Sequence, residues 1–490
     1  MIGVAPRWGA RRVQARLAAS MAVRRFEAAS GGRRTSGWRR SSGDANSSNG
    51  PALVALRELS RDLRRNNGWA KRGLEKIATN TVGWGIQPKL GAGKAAIEIW
   101  NQWARSSRCD ADGRLNFYGL QRLAMETIAE SGEVLILRRY VSSAEAGALP
   151  VGMQIKLIEP DHLDTSKDGI KSEAGGRTLQ GIEFDSRGRR VAYWLFPDHP
   201  GGAPVIGKSF ASVRVPAADV IHVYRQDRTG QARGVPWLAS AIAKLNDFDD
   251  YEDAVLMQQK VAACFAAFVQ DMDGLATPLG DQDPASELVE SLEPGRINYL
   301  PAGKSVSFAT PPSVADHKTF TTTNLHRIAA ALGVTYEDLT GDYSTVNFSS
   351  ARMSRLSHYQ HVHDWRWNML IPQLCDGVWG WVMEYAVELG RLRELPVVTW
   401  APPPMPMLEP EKEGLAIQRL VRSGARTLFQ VIEEQGEDPI AHLDELQRVN
   451  QELDARDLTL DSDARRTSAA GLAQQGGDSE GGGFGGRDKE

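Results

Sequence analysis

The stretch GVTYEDLTGDYSTVNFSSARMSRLSHYQ, residues Gly333–Gln360, separates two segments whose apolar residues recur at helical spacing. Its middle consists of small, hydroxylated and aromatic residues with almost no charge. Turns and loops are more often built from Gly, Pro and charged or amide residues. The stretch therefore indicates a polar, nearly neutral loop held between two helices.

The two flanking helices have recognisable ends. In DHKTFTTTNLHRIAAALG the apolar residues fall on one face, and Gly333 fits a C-terminal cap. After the loop, Ser349 or Ser350 can cap the next helix, and Pro372 is expected to kink or end it. We therefore predict a second long helix over 314–333, a loop over 334–350 and a third helical segment within 351–404.

A longer helix is predicted upstream, over 237–270, with Pro236 at its start. At 1.5 Å per residue it would be roughly 45–50 Å long. Small residues in its second half would allow neighbouring helices to approach closely; these are Ala262, Ala263, Ala266 and Ala267. Residues 271–313, rich in Pro, Gly and Asp, contain the strand-like pieces RINYL and SVSF and read as a small insertion.

The N-terminal half, 51–236, is predicted to be α+β with a mainly antiparallel sheet. ALVALRELSRDLRR is helical in period, and a second helix is expected to end at Gly83. MQIKLIE and ADVIHVYR alternate as strands do, and GIEFDSRGRRVAYWLF reads as a hairpin that turns at Asp185–Gly188. The proline connector WAPPPMPMLEPEKEG leads to two further predicted helices within 405–456, broken around Gly436.

Charge is unevenly distributed over the 490 residues. Residues 1–40 contain ten arginines and one glutamate, a net charge of +9; since the whole chain carries −3, the rest carries −12. We read 1–50 as a disordered basic arm that could contact nucleic acid or an acidic partner, with a solvated tail as the alternative. Residues 457–490, rich in Gly, are read as a disordered tail.

Several kinds of site are not supported by the sequence. The three cysteines, Cys109, Cys264 and Cys375, are far apart and form no CxxC pair, which argues against a zinc site or a disulfide framework. Gly303-Lys304-Ser305 lacks the glycine that a phosphate-binding loop needs five residues earlier, where Asn298 stands. No apolar segment has the length or position of a membrane span or signal peptide.

Other candidate groups have simpler structural explanations. CDADGRLNF fails the calcium-loop pattern, and His358 and His361 could share a metal but lack a further ligand. The acidic cluster DFDDYED is better explained as a solvated or inter-subunit face than as a nuclease centre. His222, alone on a strand, is expected to be a hydrogen-bonded structural residue. We predict no catalytic residue, metal or cofactor.

The order of these pieces resembles that of bacteriophage portal proteins, in particular the lambda family. The matching stretches, in chain order, are RNNGWAKRGLEKIATNTVGWGIQPK, LIEPDHL, GIEFDSRGRRVAYWLF, ADVIHVYRQDRTGQARGVPWLA, YEDLTGDYSTVNFSSARMS and EPEKEGLAIQRLVRSGARTLFQVIEEQGEDP. No single stretch is specific, but several matches in one order are.

The resemblance implies a ring, dodecameric in this family, at one capsid vertex. It assigns 51–236 to an α/β wing, 237–270 and 314–333 to a stem, 271–313 to a clip, 351–404 to a tunnel helix and wing return, and 405–456 to a helical crown. It also implies that double-stranded DNA passes non-specifically. The implied partners are the terminase large subunit, head–tail connector proteins, and capsid and scaffold proteins. The resemblance implies no membrane partner; it implies a ring that belongs to the virion and is assembled in the host cytoplasm.

The resemblance also implies two sets of functional residues. The loop facing the DNA channel would comprise Asp342, Tyr343, Ser344, Thr345, Val346, Asn347 and Phe348. Docking of terminase or connector would use acidic residues of the clip, namely Asp281, Asp283, Glu287, Glu290 and Glu293. A weakly interacting loop suits a pore that must pass every sequence, because phosphate clamping by Lys and Arg would hold the DNA.

Three alternatives remain open from the residues alone. The loop could pack against a neighbouring subunit and never meet DNA, with Tyr343 and Phe348 as interface anchors. The chain could instead be a packaging ATPase or nuclease subunit. It could also be a general nucleic-acid-binding protein that uses the arginine arm.

Overall fold

The computed structural model describes residues 42–460, except 90, 92, 143, 144, 146, 148, 174, 203–210, 264–266, 272–303, 309–315 and 345, and also the short pieces 11–14, 16, 33, 37 and 463. The helices are α1 Ala45–Asn49, α2 Leu53–Asn66, α3 Gly68–Val82, α4 Lys94–Ala104, α5 Phe117–Ser131, α6 Ile242–Ala263, α7 His317–Leu332, α8 Tyr336–Thr340, α9 Phe348–Trp365, α10 Asp376–Glu388, α11 Pro410–Arg422, α12 Leu428–Glu434 and α13 Pro439–Ala455. A π-helix, Arg366–Cys375, joins α9 to α10.

The strands are β1 Gln87–Pro88, β2 Glu133–Tyr140, β3 Met153–Ile158, β4 Gly175–Leu179, β5 Ile182–Asp185, β6 Arg190–Leu195, β7 Val213–Pro216, β8 Val220–Tyr224, β9 Ala267–Asp271, β10 Lys304–Phe308 and β11 Trp400–Ala401. They form a three-stranded sheet, β3-β2-β8, a four-stranded sheet, β4-β5-β6-β7, and the pairs β1-β11 and β9-β10. All of these pairings are antiparallel. The prediction of an α+β fold with antiparallel sheets is confirmed.

The larger hydrophobic core packs α3, α4, α5 and α10 against one face of the three-stranded sheet. Trp100 lies within it, with its ring centroid 5.0 Å from Phe117, 5.1 Å from Trp379 and 5.8 Å from Trp400. A smaller core fills the space between the two larger sheets; its members are Leu135, Ile158, Leu163, Ile182, Tyr193, Leu195 and Val220.

A fully buried carboxylate, that of Glu133 at the start of β2, joins these layers. It accepts hydrogen bonds from Arg233 Nε at 2.7 Å, His222 Nε2 at 2.8 Å and the Gly234 amide at 2.8 Å. Burial alone would raise the pKa of Glu133, but the Arg233 charge and the His222 hydrogen bond outweigh it and lower that pKa. The expectation that His222 is a hydrogen-bonded structural residue is confirmed.

Ordered structure begins earlier than predicted, since α1 lies inside the segment read as a disordered arm. Asn46 Nδ2 donates to Gly230 O at 2.8 Å, and Asn46 Oδ1 accepts from the Ala232 amide at 2.8 Å. Ala45 is 2% exposed. This short polar helix is held in place because Asn46 supplies hydrogen-bond partners for the backbone of a distant loop. Amino-acid composition does not reveal such a contact. Most of residues 1–41 lie outside the described residues.

The stem helix predicted over 237–270 is shorter than expected. A 3₁₀ turn, Trp237–Ser240, precedes α6, which ends at Ala263. Residues 267–271 form β9, which pairs with β10. With 22 residues, α6 is about 33 Å long. Because Phe and Val suit a strand as well as a helix, pairing with a distant segment decided the outcome.

The strand predicted for SVSF is confirmed as the last four residues of β10, which begins one residue earlier, at Lys304. RINYL lies outside the described residues, and so do the five acidic residues predicted to dock partners at the clip, Asp281, Asp283, Glu287, Glu290 and Glu293. The helix predicted over 314–333 is observed as α7.

Helical structure continues through Pro372, which was expected to kink or end the helix. The chain passes through it as a π-helix, in which each backbone hydrogen bond spans five residues. Arg366 begins this segment and is 3% exposed. It donates to Thr81 O at 2.6 Å, Asn80 O at 2.9 Å and Pro403 O at 3.0 Å, and burial lowers its pKa to about 10.

Residues 405–456, predicted to form a crown, contain three helices where two were predicted. The additional break follows α11, where Gly424 has a φ of +73°. Thr427 then begins α12 with a capping box, exchanging hydrogen bonds with Gln430. This capping signature is present in the sequence and was missed.

The buried His222 makes stability depend on pH. Burial lowers its pKa from 6.5 to about 4. As pH falls, the unfolded chain therefore takes up the proton first, and stability present above pH 6.5 is lost on the way down to pH 4. Between about pH 7.5 and about pH 5 we expect a loss of roughly 2 kcal/mol in the free energy of unfolding, measured in urea.

His222→Gln, which keeps a donor for Glu133, should show a shallower dependence on pH. The exposed His361→Gln is the matched control and should follow the parent. Equal slopes for His222→Gln and the parent would contradict the assignment.

Candidate functional site

The loop predicted over 334–350 has a fixed starting point, the residue that ends α7. Gly333 ends α7 in the left-handed conformation, with a φ of +72°. A Cβ there would stand 3.4 Å from the Trp365 ring of α9. The predicted C-terminal cap is therefore confirmed, and α7 and α9 lie close together where the loop leaves.

The first part of the segment predicted as loop is the short helix α8. Thr335 caps it by accepting a hydrogen bond from the Asp338 amide, and Leu339 is fully buried beneath it. Gly73 of α3 permits this packing, since a Cβ there would lie 2.6 Å from Leu332 Cδ1 and 3.4 Å from Leu339 Cδ1. The loop proper is thereby shortened to Gly341–Asn347.

One face of α3 supports α8 with polar groups. Arg72 Nε donates to Asp338 O at 2.9 Å. Lys76 Nζ and Asn80 Nδ2 lie 3.7 Å and 3.3 Å from the carboxylate oxygens of Asp338. The spacing of four residues in Arg72, Lys76 and Asn80 was the sequence signal for this face, and it was missed.

His358 connects the same face to the start of the loop. Its Nδ1 lies 3.1 Å from Gly333 O, and its Nε2 lies 3.0 Å from Asn80 Nδ2. A neutral ring with its proton on Nδ1 satisfies both contacts, and burial lowers the pKa of His358 in agreement. His361, considered as its metal-binding partner, is exposed and stacks on Trp365 with ring centroids 6.1 Å apart.

The tip of the loop is organised by local hydrogen bonds. Asp342 Oδ1 accepts a hydrogen bond from the Ser344 amide at 2.9 Å. Hydrogen bonds from the side chain and the backbone of Ser344 lower the pKa of Asp342. Tyr343 is 62% exposed. Asn347 caps α9 through a capping box with Ser350, so the predicted cap at Ser349 or Ser350 is wrong by two or three positions.

The predicted channel residues are thus largely gathered in one short turn. Asp342, Tyr343, Ser344, Val346 and Asn347 follow one another at the tip. Phe348 is instead the first residue of α9, and Thr345 lies outside the described residues. No lysine or arginine occurs in the tip. Contact with DNA stays a prediction.

Among the described residues, one group has the geometry of a possible metal site, formed by Glu159, Asp161 and His199. Arg61 Nη2 lies 2.5 Å from Asp161 Oδ2 and 3.1 Å from Glu159 Oε2. One guanidinium is thus already paired with both carboxylates. In the part of the chain that the structure describes, no helix is long and apolar enough to span a membrane.

Residues 31–366 match the family described as "Phage portal protein, lambda family". The chain therefore belongs to the lambda family of phage portal proteins. The probable portal protein of Halomonas phage phiHAP-1 is 26% identical over 448 residues, covering 85% of this chain and 84% of its own length. The portal protein of Escherichia phage N15 is 22% identical over 67% of this chain and 68% of its own length. Portal protein B of Escherichia phage lambda is 22% identical over 60% of this chain and 61% of its own length.

Similar solved chains come from gene transfer agent particles. One, from the neck of an empty particle computed with C6 symmetry, is 16% identical, with a TM-score of 0.47 over 83% of this chain and 97% of its own. Another, from the virion of a native particle, is 15% identical, with a TM-score of 0.46 over 79% of this chain and 94% of its own.

The base of the loop should depend on Leu339. Leu339→Ala leaves a cavity between α8 and α3 and should cost about 2–5 kcal/mol of local stability. Amide hydrogen exchange over 334–347 should become faster. Leu59→Ala, at a leucine that is 44% exposed, is the matched control and should change little. Unchanged protection in Leu339→Ala would contradict the role of α8 as a fixed base.

Proposed function

We propose that this chain forms the portal ring, dodecameric as the family resemblance implies, at one vertex of a phage capsid. DNA passes through the ring during packaging and ejection, and the ring works without a catalytic centre or cofactor of its own. Membership in the portal family supports this proposal.

The observation that carries the proposal is the contrast between the two parts of the loop. Its base is held by a buried leucine, a buried histidine and three polar residues of α3. Its tip presents Tyr343 and hydroxyl groups without a cation. Such a tip contacts a passing duplex without the salt-dependent phosphate binding that would hold it.

The remaining roles follow the resemblance. The clip, 271–313, receives the terminase large subunit during packaging and the head–tail connector proteins afterwards, through the acidic residues Asp281, Asp283, Glu287, Glu290 and Glu293. Capsid and scaffold proteins surround the ring, which is assembled in the host cytoplasm and remains in the virion.

Ring formation is the first test. Purified protein should form closed rings in negative-stain images, with a mass of many subunits, and should not hydrolyse ATP. ATP turnover that survives repurification and disappears in Lys304→Ala would favour a packaging enzyme instead. A monomer that binds DNA tightly through its arginine arm would favour a general nucleic-acid-binding protein.

The loop is tested by adding charge at Ser344, which is exposed. Ser344→Arg places guanidinium groups around the duplex, each able to form charge-assisted hydrogen bonds with phosphates. Rings should still assemble, but packaging by the cognate phage system should slow or stop early, and the defect should ease as salt rises.

Ser344→Gln, similar in reach but neutral, is the control and should package nearly as the parent does. Loss of rings in both variants would assign the loop to an interface. Normal packaging by both at low salt would mean that the tip does not touch DNA.

A further inference from the structure

Beyond Phe248, no described side chain of α6 is buried. Its buried residues, Ile242, Leu245 and Phe248, all lie in the first third, and no residue from Asp249 to Lys260 is buried. Helices in proteins owe most of their stability to packing of an apolar face. Tyr251 extends the packing, since its ring centroid lies 4.3 Å from that of Phe320 on α7, so a further partner would stabilise the part of α6 that follows Tyr251.

The outward face of α6 is both apolar and acidic. Leu256 and Met257 are 52% and 61% exposed. Asp250 and Asp253 are exposed too, and neither makes an ion pair with another described residue. Burial raises the pKa of the neighbouring Glu252, and the charge of Asp253 adds to that effect. This face would be stabilised by a partner that brings apolar side chains and positive charge.

A face with these properties is found on α9. Met353 and Leu356 are 68% and 48% exposed, and Arg352 lies beside them at helical spacing. In the described part of the chain, Arg352 has no carboxylate partner. Large apolar side chains clustered at a surface indicate an interaction site when they lie next to polar groups.

The charges decide how copies of the chain can meet. Two α6 faces would bring Asp250 and Asp253 of both copies together, and two α9 faces would oppose arginines. Of the three ways to combine these two faces, α6 against α9 pairs opposite charges and apolar residues at once. An interface between two different faces is head-to-tail, and such contacts generate rings when the rotation closes.

We propose that the outward face of α6 in one copy packs against the outward face of α9 in the next copy. The carboxylates of Asp250 and Asp253 face Arg352 of the neighbour, while Leu256 and Met257 cover Met353 and Leu356. The proposal rests on the ring proposed above and names the surfaces that close it. The acidic cluster on α6 is then part of a subunit interface.

Charge reversal tests the pairing. Asp253→Arg alone opposes arginine to arginine, and Arg352→Asp alone opposes carboxylates. Each variant should therefore lose rings by at least about tenfold in yield, measured by size-exclusion chromatography with light scattering and by negative stain. Glu58→Arg and Arg114→Asp, exposed charges outside both faces, are the matched controls and should form rings as the parent does.

Mixing the two single variants is the decisive experiment. When they alternate around a ring, every contact pairs opposite charges, so an equimolar mixture should recover rings that contain both chains in equal amounts. Misfolding of either variant cannot produce this recovery. The double variant Asp253→Arg with Arg352→Asp should also form rings by itself.

The outcomes separate the two proposals. If the parent forms no rings, the proposed function fails and this interface fails with it. If the parent forms rings and both single variants do so equally well, the interface is wrong while the proposed function stands. If the single variants lose rings and neither the mixture nor the double variant recovers them, the two faces do not pair with each other.

Discussion

The buried carboxylate of Glu133 is the constraint on which the arrangement of the layers depends. It lies at the start of β2, and its partner Arg233 also donates to Gln180 O and Pro160 O. The same charge pair therefore fixes both larger sheets and the segment that leads into α6. Removing one partner from a buried ion pair leaves a charge without compensation, typically at a cost of 3–5 kcal/mol. Gly234 adds a steric constraint, since a Cβ there would lie 2.1 Å from Gly132 O.

Local chemistry predicted the elements whose signals lie within a few residues. The hairpin turn at Asp185–Gly188 and the cap at Gly333 were predicted correctly, because a side-chain hydrogen bond or a left-handed glycine defines each of them. The end of α6 was predicted incorrectly, because it depends on strand pairing between 267–271 and 304–308, which are far apart in sequence. The docking of Asn46 was missed for the same reason, since its partners lie some 180 residues away.

The candidate site divides in the same way. Its tip, which is rich in hydroxyl groups and contains no cation, could be predicted from composition alone. Its support could not, because the side chains that hold α8 come from α3 and α9, and only the fold brings them together. His358 illustrates the difficulty: from the sequence it resembles a ligand next to His361, whereas in the fold it is a neutral hydrogen-bonding link between Gly333 and Asn80.

The π-helix makes the number of residues between α9 and α10 matter as much as their identity. Because every helical residue turns the chain around its axis, loss of one residue from 366–375 would rotate α10 relative to α9. Trp379 would then leave Trp100, and Arg366 could no longer keep its place relative to both neighbouring segments. Related chains should therefore tolerate substitutions in this segment more readily than single-residue insertions or deletions, and an alignment of them should remain free of gaps here.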